Sequence, residues 1–395
     1  MKKVFMISGV IILAIIVGIF VITTRETETM VTEETTKVGV ILNGKKDDRN
    51  WCQSHYEGLE KTATQLNLEL IYKEEITTDV INDEIDELVE SGCEIIVANS
   101  FEFGTGMEEA AEKYPEIYFF HATGVGEGKN LSSYFGRMYQ IRYLTGIVAG
   151  MQTETGRIGY VAAFPIAEVN RGINAFTLGV RSVNPEAEVY VCWTNSWNDD
   201  TAAEQAAERV INEYGIDVLA MHTDSIKPLE VAERCGVMSI GYNVDNSLYY
   251  PNTLLTAAVW DWENFYTPHI LTCLQGKFEG HHYWEGIETG MVSMAPLSTR
   301  VKAGIKELLV WLGENGYKRA VATATDLTRA GKYLGYGKRF NVTLTPGEGA
   351  FFTVMPEKLS SLRLSGKTSA RQGECVKLKV AATKGHQVYA LRVFD

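Results

Sequence analysis

The chain lacks the short signatures of most catalytic and metal sites. It has no C-x-x-C pair, no H-E-x-x-H, no G-x-S-x-G elbow, no Walker lysine loop and no G-x-G-x-x-G after an apolar run. The six cysteines, Cys52, Cys93, Cys192, Cys235, Cys273 and Cys375, are too widely spaced to set up a structural zinc site. Cys93 and Cys192 fall in apolar strand contexts and read as buried free thiols. Positive charge is also short. With 37 Lys and Arg against 50 Asp and Glu, the net charge of −13 excludes a general nucleic-acid binder, which needs a basic face to release counterions.

One long apolar run is present, at the start. Lys2-Lys3 precede Val4 to Thr23, an uncharged stretch long enough to cross ~30 Å of hydrocarbon as a helix. No small-x-small cleavage site follows, because the run passes directly into Thr24-Arg-Glu-Thr-Glu. No cysteine stands just after it to carry a lipid, the first being Cys52. We therefore read an uncleaved transmembrane anchor rather than a cleaved signal. The lysines hold its start in the cytoplasm, and the bulk of the chain is extracytoplasmic. Glu26 to Thr36, rich in Thr and Glu, reads as a tether, so that 1–36 forms anchor and tether together.

From Lys37 the chain alternates apolar runs with amphipathic segments. Lys37–Asn43, Ile95–Ser100 and Ile117–Ala122 read as strands, and Tyr56–Asn67 as a helix after a polar loop. After Ser132-Ser-Tyr-Phe-Gly136 and the small-residue helix Tyr143–Met151 the rhythm restarts. Strands are expected at 157–163, 188–192, 218–221, 237–242 and 254–259, with helices at 168–183, 200–214, 227–235 and 263–274. Such alternation gives parallel sheets with helices on both faces. The expected fold is α/β with two doubly wound lobes in 37–318. Lobe one spans about 37–145 plus a returning segment, and lobe two about 155–260. Short alternating runs between Gly, Pro and Ser turns in 340–395 read as a small β module, which includes Val342–Val354, Leu362–Leu364, Val376–Val380 and Val388–Val393.

Parallel sheets bind ligands beyond the carboxyl ends of their strands. The loop after the first strand, Asp47-Asp-Arg-Asn-Trp-Cys-Gln-Ser-His-Tyr-Glu-Gly58, mixes capping residues with a tryptophan. Capping alone explains the Asp and Asn but leaves Trp51 without a purpose. Trp51 is therefore expected as a pocket wall and Asp48 as a polar contact.

That loop resembles the opening of the basic membrane protein family, purine-nucleoside receptor lipoproteins that serve ABC importers as substrate-binding components. Ser132-Ser-Tyr-Phe-Gly-Arg137 and Tyr143-Leu-Thr-Gly-Ile-Val-Ala-Gly150 resemble its central strand and helix. Gly159-Tyr-Val-Ala-Ala-Phe-Pro-Ile-Ala-Glu-Val-Asn-Arg-Gly-Ile-Asn-Ala-Phe176 is the most specific match. Trp197-Asn-Asp199 and Gly241-Tyr-Asn-Val-Asp245 stand at two family turns. The resemblance covers about 37–315 and implies a periplasmic-binding-protein type I-like fold. It further implies that Trp51 and Trp197 flank a purine from opposite lobes, that Asp48 accepts from its edge, and that Asn243 and Asp245 lie near a sugar. Asp224, in His222-Thr-Asp-Ser225, adds a carboxylate to that edge. Glu168, Asn170 and Arg171 fit either a helix start or a ligand contact.

One position departs from the family. Nucleoside-binding relatives end the strand resembling Leu255–Val259 with a lysine that reaches the ribose, and Trp260 stands there instead. An indole in that place rejects a sugar by clash and by unpaired hydroxyls. A free base is therefore expected over a nucleoside, with ABC permease subunits as partners and no cofactor, metal or catalytic residue. An anchored sensory module without a transporter is the main alternative. A tethered hydrolase is another, but His222, Asp224 and Ser225 cannot form a triad from one strand end alone.

Overall fold

The computed structural model describes residues 35–309 and the backbone of three further strands. The expected anchor at Val4–Thr23 and the run Val388–Val393 lie outside the described residues. Among the described residues, no helix is long and apolar enough to cross a membrane.

The first sheet is built from β1 (Lys37–Ile41), β2 (Glu69–Lys73), β3 (Cys93–Ala98), β4 (Tyr118–Ala122) and β5 (Leu131–Gly136). Helices α1 (Trp51–Leu66), α2 (Ile81–Glu90) and α3 (Gly104–Lys113) connect them. After α4 (Tyr139–Gln152) a second sheet begins with β6 (Arg157–Ala162), α5 (Ala167–Val183), β7 (Glu188–Trp193) and α6 (Asp200–Tyr214). It continues through β8 (Val218–His222), α7 (Lys227–Cys235), β9 (Met238–Asn243) and β10 (Leu254–Trp260). Then α8 (Glu263–Leu274) and β11 (His282–Glu285) return to the first sheet, and β12 (Val292–Met294) to the second.

The strand orders are β11-β5-β4-β3-β1-β2 and β12-β10-β9-β8-β6-β7. Every pairing in the first sheet is parallel, and in the second only β10 with β12 is antiparallel. The central strands β5 and β8 are buried along their whole length, as helices on both faces require. The edge strands β2 and β7 carry no buried side chain, each opening on an exposed glutamate followed by half-buried residues. The two α/β lobes are those expected from the rhythm.

Three local features differ from the sequence reading. Helix α1 begins at Trp51 rather than Tyr56, because the Asp48 carboxylate takes the free N–H groups of its first turn, those of Cys52 and Gln53. Strand β2 and helix α2 fill the interval before Ile95 that the reading left without elements. Cys93 is buried, but Cys192 lies half-buried on the edge strand β7.

Where the lobes are joined, α4 lies against α5 with almost no side chain between them. A Cβ on Gly146 would fall 2.1 Å from the Phe176 carbonyl oxygen, and one on Gly179 would fall 2.0 Å from that of Tyr143. Likewise, a Cβ on Gly58 of α1 would meet Trp262 Cβ at 2.6 Å, which sets α1 against the turn leading into α8. Beyond residue 309 the backbones of β13 (Arg339–Leu344), β14 (Leu362–Gly366) and β15 (Val376–Ala382) pair antiparallel in the order β13-β15-β14.

Candidate functional site

The carboxyl ends of both sheets face one cavity of about 500 Å³. Trp51, at the start of α1, stands on its first-lobe wall. Trp197, in the loop after β7, stands on the opposite wall. Asp48 and Asp224 also line it, together with Asp47, Asp200 and Glu75, and Lys45 supplies the one cation among the lining residues. Four of the residues expected from the sequence, Asp48, Trp51, Trp197 and Asp224, are thus brought together.

The other three are placed elsewhere. Asn243 is fully buried one layer behind the cavity, where its Nδ2 donates to Asn50 Oδ1 at 2.6 Å and to Asp224 Oδ1 at 2.9 Å. Trp260 is also buried, and its Nε1 donates to Asn243 Oδ1 at 2.8 Å. Asp245 lies exposed on the turn after β9, accepting from the Ser247 backbone N–H.

Trp260 belongs to a column of rings. It stacks on Trp262 at 4.5 Å with planes 10° apart, and Trp262 stacks on His55 at 4.3 Å and 17°. Trp51 meets all three edge-on, at 5.8, 5.7 and 4.4 Å. Its own Nε1 donates to the Asn99 carbonyl at 3.0 Å. Edge-to-face and offset contacts of this kind are favourable beyond the area they bury. They hold the Trp51 indole in one orientation at the cavity wall.

The carboxylates have different duties. Asp48 Oδ1 accepts from the N–H groups of Asn50 and Gln53, and Oδ2 from that of Cys52. Burial raises its pKa, and these three N–H donors counter the rise. Asp224 is pushed much further up, first by burial and then by the nearby charge of Asp48. Burial thus favours the protonated form of Asp224, a form that both donates and accepts hydrogen bonds.

Across the cleft, Asn50 Nδ2 donates to the carbonyl oxygens of Asp224 and Thr223, and Asn246 Nδ2 to that of Arg49. Asn50 was visible in the loop but carried no signal beyond a capping type. Cys52, on the cavity wall, hydrogen-bonds Asn43 and Asn99, and burial raises its thiol pKa well above the ordinary value.

Behind Trp197 lies a second group that the reading did not assign. His222 is buried and its ring is 6.1 Å from that of Trp197. Burial, and then the charge of Arg142, lowers its pKa to about 4, so the imidazole is neutral at neutral pH. Its Nε2 then donates to Glu168 Oε1 at 3.3 Å, and Nδ1 accepts from the Tyr160 hydroxyl at 3.3 Å. Arg142 is fully buried on α4, with Nη1 donating to the Met221 carbonyl at 2.6 Å. The available signal was a lone cation inside the apolar run Gln140-Ile-Arg-Tyr-Leu144.

Residues 35–310 match the Bmp family of PnrA-like ABC transporter substrate-binding proteins. The chain belongs to that family. It is a family of solute-binding proteins, not of enzymes, and its members work with ABC transporter components. A putative ABC transporter glucose-binding protein of Haloferax volcanii is 35% identical over 69% of this chain and 70% of its own length. A purine-binding protein of Brucella abortus is 33% identical over 70% of this chain and 79% of its own length. The fold is similar to that of a transcriptional activator of the comK gene from Bacillus halodurans. That match has a TM-score of 0.64 and 24% identity, and covers 72% of this chain and 98% of the other. An ABC transporter solute-binding protein from Conexibacter woesei gives a TM-score of 0.60 at 17% identity, over 71% of this chain and 97% of its own.

Proposed function

We propose that this Bmp-family protein binds a purine, as a free base in preference to a nucleoside, in the cleft between its lobes and delivers it to an ABC permease. The observation that carries the reading is the placement of Trp51 and Trp197 on opposite walls of one cavity. Two aromatic faces supply stacking area to any flat heterocycle, and the carboxyls of Asp48 and Asp224 meet its polar rim. Trp260 and Asn243 act from behind this wall. Stacking on Trp262 and bonding to Asn243 hold the Trp260 indole rigidly in place of a flexible lysine. The purine-binding relative from Brucella abortus supports the same ligand class.

A sugar is the second reading. Five carboxylates on the cavity wall suit the hydroxyls of a hexose, a tryptophan face packs against a sugar ring, and one relative is named as glucose-binding. Calorimetry of the full chain against adenine, guanine, hypoxanthine, xanthine, their nucleosides and glucose separates the two. Free bases should bind at least tenfold more tightly than their nucleosides. Nucleosides binding as tightly as bases would remove the role given to Trp260, and glucose binding alone would replace the purine reading.

The same proposal places 1–36 as membrane anchor and tether, 37–318 as the binding unit outside the cytoplasm and 340–395 as an added β module. A sensor without a transporter would share the pocket. Permease and ATPase genes beside its own would favour the importer.

A further inference from the structure

Asn243 ends β9 with a left-handed backbone, φ +67°, and its side chain is fully buried. Two partners of fixed character set the direction of its amide. Trp260 Nε1 can only donate, so the atom it meets at 2.8 Å is the amide oxygen, Oδ1. From the first lobe, Asn50 turns its Nδ2 to the carbonyls of Thr223 and Asp224, which can only accept. Its own oxygen therefore faces Asn243 Nδ2, at 2.6 Å. The two constraints agree.

The other N–H of Asn243 Nδ2 goes to Asp224 Oδ1 at 2.9 Å. With both N–H groups and the oxygen engaged, Asn243 has no group left for a ligand, and it forms no part of the cleft cavity wall. Asp224 does line that cavity. Its Oδ1 is held by Asn243, while Oδ2 has no partner among the described residues. Asp48 differs, because both of its oxygens are bonded to backbone N–H groups.

The network is also tied to both aromatic walls. Asn50 directly precedes Trp51, and the Asp224 N–H donates to the Trp197 carbonyl at 2.7 Å. Asp224 Oδ2 is thus set on the same frame as the two indoles. Since Oδ1 faces an N–H, a proton on this carboxyl resides on Oδ2, the oxygen open to the cleft.

We propose that Asn243 is a positioning residue, which does not touch the ligand but fixes the Asp224 carboxyl so that Oδ2 alone meets a polar atom on the rim of the bound base. The inference rests on the purine reading above and deepens it. It moves Asn243 from the sugar side of the site to the support of the base edge, and gives the Trp260 N–H a part separate from the bulk of its ring.

The test begins with calorimetry of the full chain against adenine, guanine, hypoxanthine and xanthine, and a crystal structure with the base that binds most tightly. Asp224 Oδ2 should lie within about 3.2 Å of a ring nitrogen or exocyclic group, with Oδ1 still on Asn243 and no contact from Asn243 to the base. This arm needs no variant, so it stands even if substitution impairs folding. Asn243→Gly keeps the left-handed backbone and loses the amide. It should weaken that base about tenfold in the otherwise unaltered chain, the loss expected when a carboxyl oxygen is released from its donor. In the Asp224→Ala chain the same substitution should change affinity by less than about threefold, because the group through which it acts is gone. A base touched by Asn243, Asp224 Oδ2 turned away from the base, an Asp224→Ala chain that binds as tightly as the original, or equal losses from Asn243→Gly in the two backgrounds would overturn the proposal while leaving purine binding in place. A folded, unaltered chain that binds no purine would remove the broader reading, and this one with it.

Discussion

Asn50 Nδ2 and the Asp224 carbonyl oxygen lie 2.6 Å apart, joining the residue that precedes α1 in one lobe to the end of β8 in the other. The same amide accepts from Asn243 Nδ2 through its oxygen, so one buried side chain of the first lobe satisfies groups at two strand ends of the second. Asn50→Ala leaves several buried polar atoms without partners. It should lower the stability of the chain by about 1–3 kcal/mol, read from the midpoint of urea unfolding. Asn50→Asp keeps the acceptor but loses the donor, so it should also be destabilising. An unchanged midpoint in both would mean that the bridge contributes nothing in solution.

Trp197→Ala should weaken ligand binding about ten- to a hundred-fold, from a stacking contribution of ~1–3 kcal/mol. Because Trp197 is only half-buried, folding should change little. Trp51→Ala should lose a similar binding contribution and also lower stability by about 3–5 kcal/mol, since its indole packs against three rings and bonds Asn99. Calorimetry and thermal unfolding, run on both variants, distinguish the two behaviours. Equal loss of stability in the two would contradict the difference in burial.

His222 gives a dependence on pH with a definite sign. Its pKa falls from 6.5 to about 4 on folding, so between those values the unfolded chain binds more protons. The contribution of this group is fully present above pH 6.5 and is lost as pH falls toward 4, in total about 3 kcal/mol. Asp224, with its pKa raised on folding, works in the opposite sense, its contribution being present at low pH and lost as pH rises. Comparing the chain with His222→Gln isolates the histidine. Between pH 7 and pH 4.5 the variant should lose about 2 kcal/mol less stability in urea unfolding. Parallel pH profiles for the two would show that His222 does not titrate with folding.

Gly146→Ala and Gly179→Ala test the packing of α4 on α5. Each added methyl would fall about 2 Å from a backbone carbonyl oxygen, which no rotamer change relieves. Either substitution should cost about 1–3 kcal/mol by forcing the helices apart. Gly156→Ala, which meets no atom within 4 Å but sits at a φ of +70°, should show only the smaller cost of a left-handed backbone. If all three cost the same, backbone conformation rather than helix contact sets the effect.

The lobes were legible because buried parallel strands announce themselves as short apolar runs between amphipathic segments. Ile95–Ala98 and Val218–Met221 do so, whereas Glu69–Lys73, on an edge and half-buried, does not. Asp48 and Trp51 stood out as a carboxylate and an indole in a short polar loop, and both reach the cavity wall. That α1 begins at Trp51 was hidden, because the capping contact joins Asp48 to backbone N–H groups whose position depends on the turn itself. Arg142 and Asn50 were harder still. Their roles come from bonds to Met221 and Asp224, far along the chain, and no local spacing encodes such partners. Asp245 shows the reverse: a suggestive strand-end carboxylate whose oxygen is taken up by its own turn.

The return of the chain to its first sheet bears on how the protein is made. Strand β11, at His282–Glu285, completes that sheet by pairing with β5 at Leu131–Gly136, and α8 covers α1 only after Glu263. During synthesis the first lobe therefore waits, with an open sheet edge beside β5, until nearly the whole second lobe has been translated. Contacts of such long range are slow to form, and unpaired edges invite association in the interval. A chain ending at about residue 260 would leave that edge permanently uncovered, so the two lobes cannot be produced separately by cutting the gene between them.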